Sequence, residues 1–292
     1  MGERRTDRDL RGVVRFLVDP VLSVLLAPSC TACGELLERP TSGPVCPSCW
    51  RSILPLTPPL CDRCGDPLPT WRAISVPLAR CPRCRRGNRQ VDRARAVGAY
   101  DGALRAIVHA LKYEGRRSLA KPLAELMRFR GAGMLTGADW AVPVPLHPSR
   151  RRERGFNQAA DLARHVGVPV RLALRRHRAT ASQTGLPAAR RHGNVRGAFV
   201  LASGQDGSAC GHAAPMAREA IGDASASVRA GGGAPAPVQK CGRHGLEGSI
   251  VVLIDDVSTT GATLDACARV LKEAGVREVR ALTAARVVTP PR

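Results

Sequence analysis

Apolar positions along the chain fall into two rhythms and then lapse. Residues Ile250 to Ile254 form an unbroken apolar run rich in β-branched side chains, the pattern of a strand buried on both faces of a parallel sheet. After it, Leu264, Ala268 and Leu271 recur at helical spacing until Gly275, which predicts a helix ending there. Between them, Val257 to Thr263 is small and hydroxyl-rich around Gly261. A second helical rhythm, Leu104, Ile107, Val108 and Leu111, predicts an amphipathic helix upstream. The rhythm is lost in the polar run Thr180 to Arg196. It is lost again over 203–248, where Ala, Gly and Ser dominate and a flexible insert is expected. Cys210, His212, Cys241 and His244 are scattered in that insert, and such residues are commonly unpaired.

Near the start, Val13 to Pro28 is mostly apolar but is interrupted by Arg15, Asp19 and Pro20. No uninterrupted export core forms, and nothing approaches the ~20 apolar residues needed to span a bilayer. An amphipathic segment packed on the protein is expected over residues 1–29, in a cytoplasmic chain with no membrane span.

Composition then sets bounds. A length of 292 residues suits one large and one small domain, and the apolar content of 44% excludes a fibrous or wholly disordered chain. Aromatics at 3% leave the core to Leu, Val and Ala. Net charge is +21, and residues 96–202 alone carry +13. That field favours polyanions: nucleic acid, an anionic membrane face or a phosphorylated small molecule.

Eight of the eleven cysteines form four C-x-x-C pairs: Cys30 with Cys33, Cys46 with Cys49, Cys61 with Cys64, and Cys81 with Cys84. Two thiolates separated by two residues grip one face of a tetrahedral ion, and a second pair closes the site. Four pairs therefore predict two structural zinc ions. Consecutive pairing and an interleaved cross-brace both satisfy the count. Gly34 and Gly65 follow two of the pairs, as knuckle turns require, and a closed four-thiolate site leaves no position for catalysis. Trp50 and Trp71 are expected to pack this small module.

The strand, loop and helix of Ser249 to Ala274 bring a cluster of backbone N–H groups and a positive helix end to one point, where an anion can sit. Asp255 and Asp256 end the apolar run. They suit sugar hydroxyls or a metal ion beside a phosphate, and together these features describe a ribose 5-phosphate site. A nucleotide triphosphatase would also need G-x-x-x-x-G-K-[ST], which the chain lacks.

The stretch IDDVSTTGATL resembles the signature for 5-phosphoribosyl-1-pyrophosphate (PRPP) in type I phosphoribosyltransferases. With LKYEGRR at 111–117, VPVPLHPSRRRERGFNQAADLA at 142–163, RATASQTGLPAARRHGNVRGAF at 178–199 and the four knuckles, the chain is similar to the ComF (GntX-like) family. The resemblance implies an α/β fold: a type I phosphoribosyltransferase-like parallel sheet flanked by helices, preceded by a double zinc ribbon. The domains would be 1–29, 30–90 and 91–292, with the insert at 203–248. It further implies that Ser258, Thr259, Thr260, Gly261, Ala262 and Thr263 bind the phosphate and that Asp255 and Asp256 act on the ribose. A buried strand over Ala141 to Leu146 would lead to a pyrophosphate loop from Leu146 to Ser149, with Leu146, His147, Arg150 and Arg154 as binding residues. Lys112 would reach the phosphate end, and Arg191 and Arg196 would close from a mobile loop. Magnesium would accompany PRPP. Two functions stay open: phosphoribosyl transfer to an unread acceptor, tied to DNA uptake or natural competence, and PRPP sensing by an accessory protein that engages single-stranded DNA or competence proteins. The oligomeric state is open too, a dimer included.

Overall fold

The computed structural model describes residues 19, 26–68, 79–87, 89–178, 195, 197–202, 238–239 and 245–288. The apolar run at 250 becomes the middle of a parallel sheet because every strand beside it points the same way. The strands are β1 (Arg93–Ala99), β2 (Trp140–Pro143), β3 (Val170–Arg171), β4 (Leu174–Arg176), β5 (Phe199–Leu201), β6 (Val238–Gln239), β7 (Ile250–Ser258) and β8 (Glu278–Arg286). Six of them run in the order β1-β8-β7-β2-β3-β6, all parallel, while β4 and β5 form a separate antiparallel pair. The expected α/β sheet flanked by helices is therefore present.

Alternation along β7 sorts its side chains onto two faces. Val252 and Ile254 join one buried cluster with Leu104, Ile107 and Leu111 of α1 (Gly102–Tyr113) and with Leu123 and Met127 of α2 (Ala120–Arg130). Val251 and Leu253 join the other, with Leu264, Ala268 and Leu271 of the helix Ala262–Glu273. Both helical rhythms thus face the sheet, one on each side. Helices α3 (Pro148–Arg154) and α4 (Gln158–Ala163) follow β2, and the helix Ala262–Glu273, α5, follows β7. Leu162 of α4 packs on the α1 side and α5 on the other, so chains leaving the adjacent strands β2 and β7 diverge to opposite faces. A crevice opens at such a point, outside the carboxyl ends of the strands, and ligands of α/β sheets bind there.

Three boundaries differ from expectation. Strand β7 does not stop at Ile254 but continues to Ser258, because β8 offers backbone partners as far as Arg286. The strand expected over Ala141 to Leu146 ends at Pro143, since Pro145 has no N–H to donate; Val144 makes the last bond, to the Ile254 carbonyl at 2.9 Å. Within 203–248, Val238–Gln239 adds an edge strand and Leu246 is fully buried, so the flexible insert does not extend over all of that range.

The cysteine module repeats one construction twice. Ser29 bridges Leu36 and Leu60 bridges Pro67, around turns in which Gly34 and Gly65 donate to the carbonyls of Cys30 and Cys61. Each second knuckle opens a single helical turn, Pro47–Arg51 and Pro82–Arg86, with proline at its first position. Gly65 has φ +70°, and a Cβ there would stand 2.6 Å from the Ala94 carbonyl oxygen, so only glycine lets this turn lie against β1. Leu37, Val45 and Ile53 of the first ribbon belong to the same buried cluster as α1, and Trp50 packs against it. Trp71 lies outside the described residues.

Candidate functional site

At the end of the apolar run Asp256 is buried and Asp255 half-buried. The alternation that sorts Val251 from Val252 sends the two side chains to opposite faces of the sheet. Asp256 points to the α1 side, where it is 4% exposed and its Oδ1 lies 2.9 Å from Lys112 Nζ. Its Oδ2 is buried with no hydrogen-bond partner. The final turn of α1 aims Lys112 at this acid. Burial works against its charge, but Asp256 outweighs burial and holds the Lys112 pKa above its ordinary value.

Asp255 turns to the α5 side and accepts the Asp256 backbone N–H at 2.9 Å. Desolvation first, and the Asp256 charge second, push its pKa up to about 8, while Lys112 and Arg176 pull the other way. Cys267, expected as a small core residue, is fully buried in α5, and its thiol is pushed far up by burial first and by Asp255 second.

The signature loop follows directly. Ser258 and Thr260 are buried, Thr259, Gly261 and Thr263 half-buried, and Ala262 begins α5. Gly261 turns the chain into the helix at φ +80°, and Thr260 Oγ1 accepts the Ala262 N–H at 3.3 Å. A twelve-residue helix starting here presents its positive end toward the crevice.

Across the crevice, Leu146, His147 and Arg150 are half-buried beyond β2. His147 caps α3, its Nδ1 accepting the Ser149 N–H at 3.3 Å and hydrogen bonding with Ser149 Oγ at 2.7 Å. Ser149 thus belongs to the helix and not to the expected loop. The Arg154 guanidinium stacks over the Tyr113 ring at 4.9 Å. His109 is an exposed neighbour of that ring, 4.8 Å away. Arg191 and Arg196 lie outside the described residues, as do Thr180 to Asn194.

Two contributors went unnoticed in the sequence. Arg176, on β4 over the Phe199 ring, interacts electrostatically with both Arg150 and Asp255; burial first, then the like charge of Arg150, lowers its pKa. Only the antiparallel β4–β5 pairing brings it over the crevice, and no local motif announces it. Asn157 Nδ2 donates to the Val144 carbonyl at 3.1 Å and ties α4 to the chain leaving β2. Its place in GFNQ was the available signal.

The eight cysteines assemble into two quartets by simple succession: Cys30, Cys33, Cys46 and Cys49, and Cys61, Cys64, Cys81 and Cys84. The interleaved alternative is excluded. Within each, all sulfurs lie within 4.8 Å of one another, with Cys33 to Cys46 at 3.9 Å and Cys64 to Cys81 at 3.6 Å. A tetrahedral zinc with bonds of ~2.3 Å separates its sulfurs by about 3.8 Å, so both quartets fit the ion. Backbone N–H groups of Ala32 and Cys46 point at Cys30 Sγ, and that of Cys81 at Cys61 Sγ, as in metal knuckles.

Comparison with known proteins agrees with this geometry. A double zinc ribbon domain matches residues 21–85, and a phosphoribosyl transferase domain matches 152–289. Competence protein F of Haemophilus influenzae is 25% identical over 261 residues, 86% of this chain and 93% of that protein. DNA utilization protein YhgH is 28% identical over 246 residues in Salmonella typhimurium, 81% of this chain and 87% of that protein. The Escherichia coli protein of that name is 28% identical over 265 residues, 86% and 87% of the two chains. Among the described residues no helix is long and apolar enough to cross a membrane.

Proposed function

From a chain that joins a double zinc ribbon to a phosphoribosyltransferase domain, we propose a PRPP-binding protein that transfers the phosphoribosyl group with loss of pyrophosphate, in a process related to DNA uptake or competence. The observation that carries this reading is the crevice between β2 and β7, with two carboxylates and a small-residue loop on its central strand. The loop Ser258 to Thr263 and the start of α5 take the 5-phosphate. Asp255 and Asp256 hold the ribose hydroxyls, and the carboxylate of Asp256 favours the positive charge that develops as pyrophosphate leaves the anomeric carbon. Leu146, His147 and Arg150 face the pyrophosphate, whose oxygens match the forked guanidinium. Arg176 joins them from above, and Arg191 and Arg196 are assigned to a closing loop.

Magnesium fits as the partner of PRPP, because Asp256 keeps one buried carboxylate oxygen without a partner. Bound with the ligand, it would neutralise pyrophosphate charge. Two structural zinc ions complete the cofactors. The relatives' names and the basic middle segment make single-stranded DNA or competence proteins the macromolecular partners, in the cytoplasm.

A second reading, PRPP sensing without turnover, draws on the Lys112–Asp256 ion pair, in which a lysine satisfies one oxygen of one acid. Calorimetry with Mg-PRPP, joined to pyrophosphate release across a panel of nucleobases, separates the readings. Binding with release supports transfer; binding without release supports sensing. No binding by zinc-loaded protein overturns both.

A further inference from the structure

The signature loop is held from behind by the second zinc ribbon. Arg89 is 8% exposed, and its Nη1 donates to the Thr260 carbonyl at 2.9 Å and to Asp265 Oδ2 at 2.8 Å. The N–H groups of Gln90 and Val91 reach Asp265 Oδ1 at 3.1 and 3.3 Å, so the first turn of α5 is clamped by three consecutive residues. A Cβ on Gly261 would stand 2.7 Å from the same guanidinium nitrogen.

That clamp is fixed to the metal knuckle. Arg63, between Cys61 and Cys64, donates to the carbonyls of Val91 at 3.1 Å and Arg89 at 2.5 Å. A second tie reaches the other end of the loop. Asp66, two residues past Cys64, pairs with Arg83 between the next two cysteines and with Arg286 at the end of β8. Arg286 in turn reaches Ser258 Oγ at 3.5 Å. Between the ties lies a cavity of about 20 Å³, bordered by Arg63, Cys64, Arg89, Ser258, Gly261 and Arg286. It has room for about one water. Arg89 and Arg286 each keep a buried Nη2 with no protein partner, and both border that space.

We infer that Arg89 is a positioning residue for the phosphate loop, and that the second ribbon acts through it and through Asp66 to set how tightly the loop grips phosphate. The inference rests on the PRPP reading of the loop. A loop of serine, threonine and glycine has only the methyl of Ala262 to anchor it in the core, yet amide recognition of phosphate needs its backbone placed to about half an ångström. Two buried guanidiniums, Arg89 at the Thr260 end and Arg286 at the Ser258 end, supply that placement. The first ribbon, which packs against α1 on the opposite face, makes none of these bonds.

The test uses the full zinc-loaded chain with Arg89→Met, Arg89→Lys and, as a control for general destabilisation, Leu123→Ala on the far face. Zinc content, hydrogen exchange of amides 259–265 and Mg-PRPP affinity are read together. Arg89→Met should keep both zincs, exchange the loop amides at least tenfold faster and bind PRPP about tenfold more weakly. Arg89→Lys should recover part of both losses, and Leu123→Ala should change neither. Unchanged loop exchange in Arg89→Met, or equal losses in Leu123→Ala, overturns the inference. If the wild-type chain binds no PRPP, the proposed function fails, but the exchange measurements still decide the positioning role. Asp66→Asn, which loosens the Ser258 end, replaces Arg89→Met if that variant does not fold, with the same outcomes expected.

Discussion

Asp255 and Asp256 show how adjacent residues of one type acquire different chemistry. Asp256 is matched by a lysine, while Asp255 is desolvated beside a like charge and is driven toward its neutral form. The sign of the linkage follows: the folded chain holds a proton on Asp255 up to about pH 8, whereas the unfolded chain releases it near the ordinary aspartate value of 3.8. Stability is therefore complete below the unfolded pKa and declines as pH rises from about 4 to about 8. Thermal midpoints of the ligand-free protein should fall across that window, and Asp255→Asn should flatten the decline; an identical slope in the variant would refute this account. The lysine pair yields a separate expectation. Lys112→Met strands a buried carboxylate and should cost about 3–5 kcal/mol in urea denaturation, and adding Asp256→Asn should restore much of it. Motif reading located both acids at the end of the apolar run but could not show that they turn to opposite faces, with Lys112 of α1 meeting only Asp256. It found Lys112 without its partner, since a contact across 144 positions leaves no local trace.

Among the elements, β7, α5 and α1 were legible because their periodicities are strong and uninterrupted. The succession of knuckles was legible only as one of two pairings. What escaped was the antiparallel β4–β5 pair: strands of three residues carry too short an alternation to be recognised, and the polar stretch between them hides the pairing. The metal sites now separate in their expected consequences. Each quartet should hold one zinc, two per chain by elemental analysis. Cys33→Ser in the first should lower stability while leaving Mg-PRPP affinity close to wild type, whereas Cys84→Ser in the second should reduce affinity about tenfold. Equal effects on affinity would refute the division of labour between the ribbons. At the turn into α5, Gly261→Ala should cost about 1–3 kcal/mol of stability from its left-handed backbone, and more in ligand binding because its Cβ meets Arg89.

For the whole molecule, the order of strands matters as much as their number. Strand β1 borders only β8 within the sheet, so the earliest strand in the sequence waits for the last one before it has a neighbour. During synthesis, β7 likewise has one open side until residues Glu278–Arg286 leave the ribosome. The nascent chain must therefore carry β1 unpaired until β7 is made, and then two unpaired strand edges until β8 joins them, and such edges template association with other chains. A chain stopped at Arg277 should accumulate as aggregate even though the signature loop, both ribbons and the acidic pair are all present in it. Recovery of that fragment as a monomer by gel filtration would show that the sheet can close by another route. Strand β8 is, in this sense, the clasp of the sheet: the step at which two open strand edges cease to be targets for aggregation.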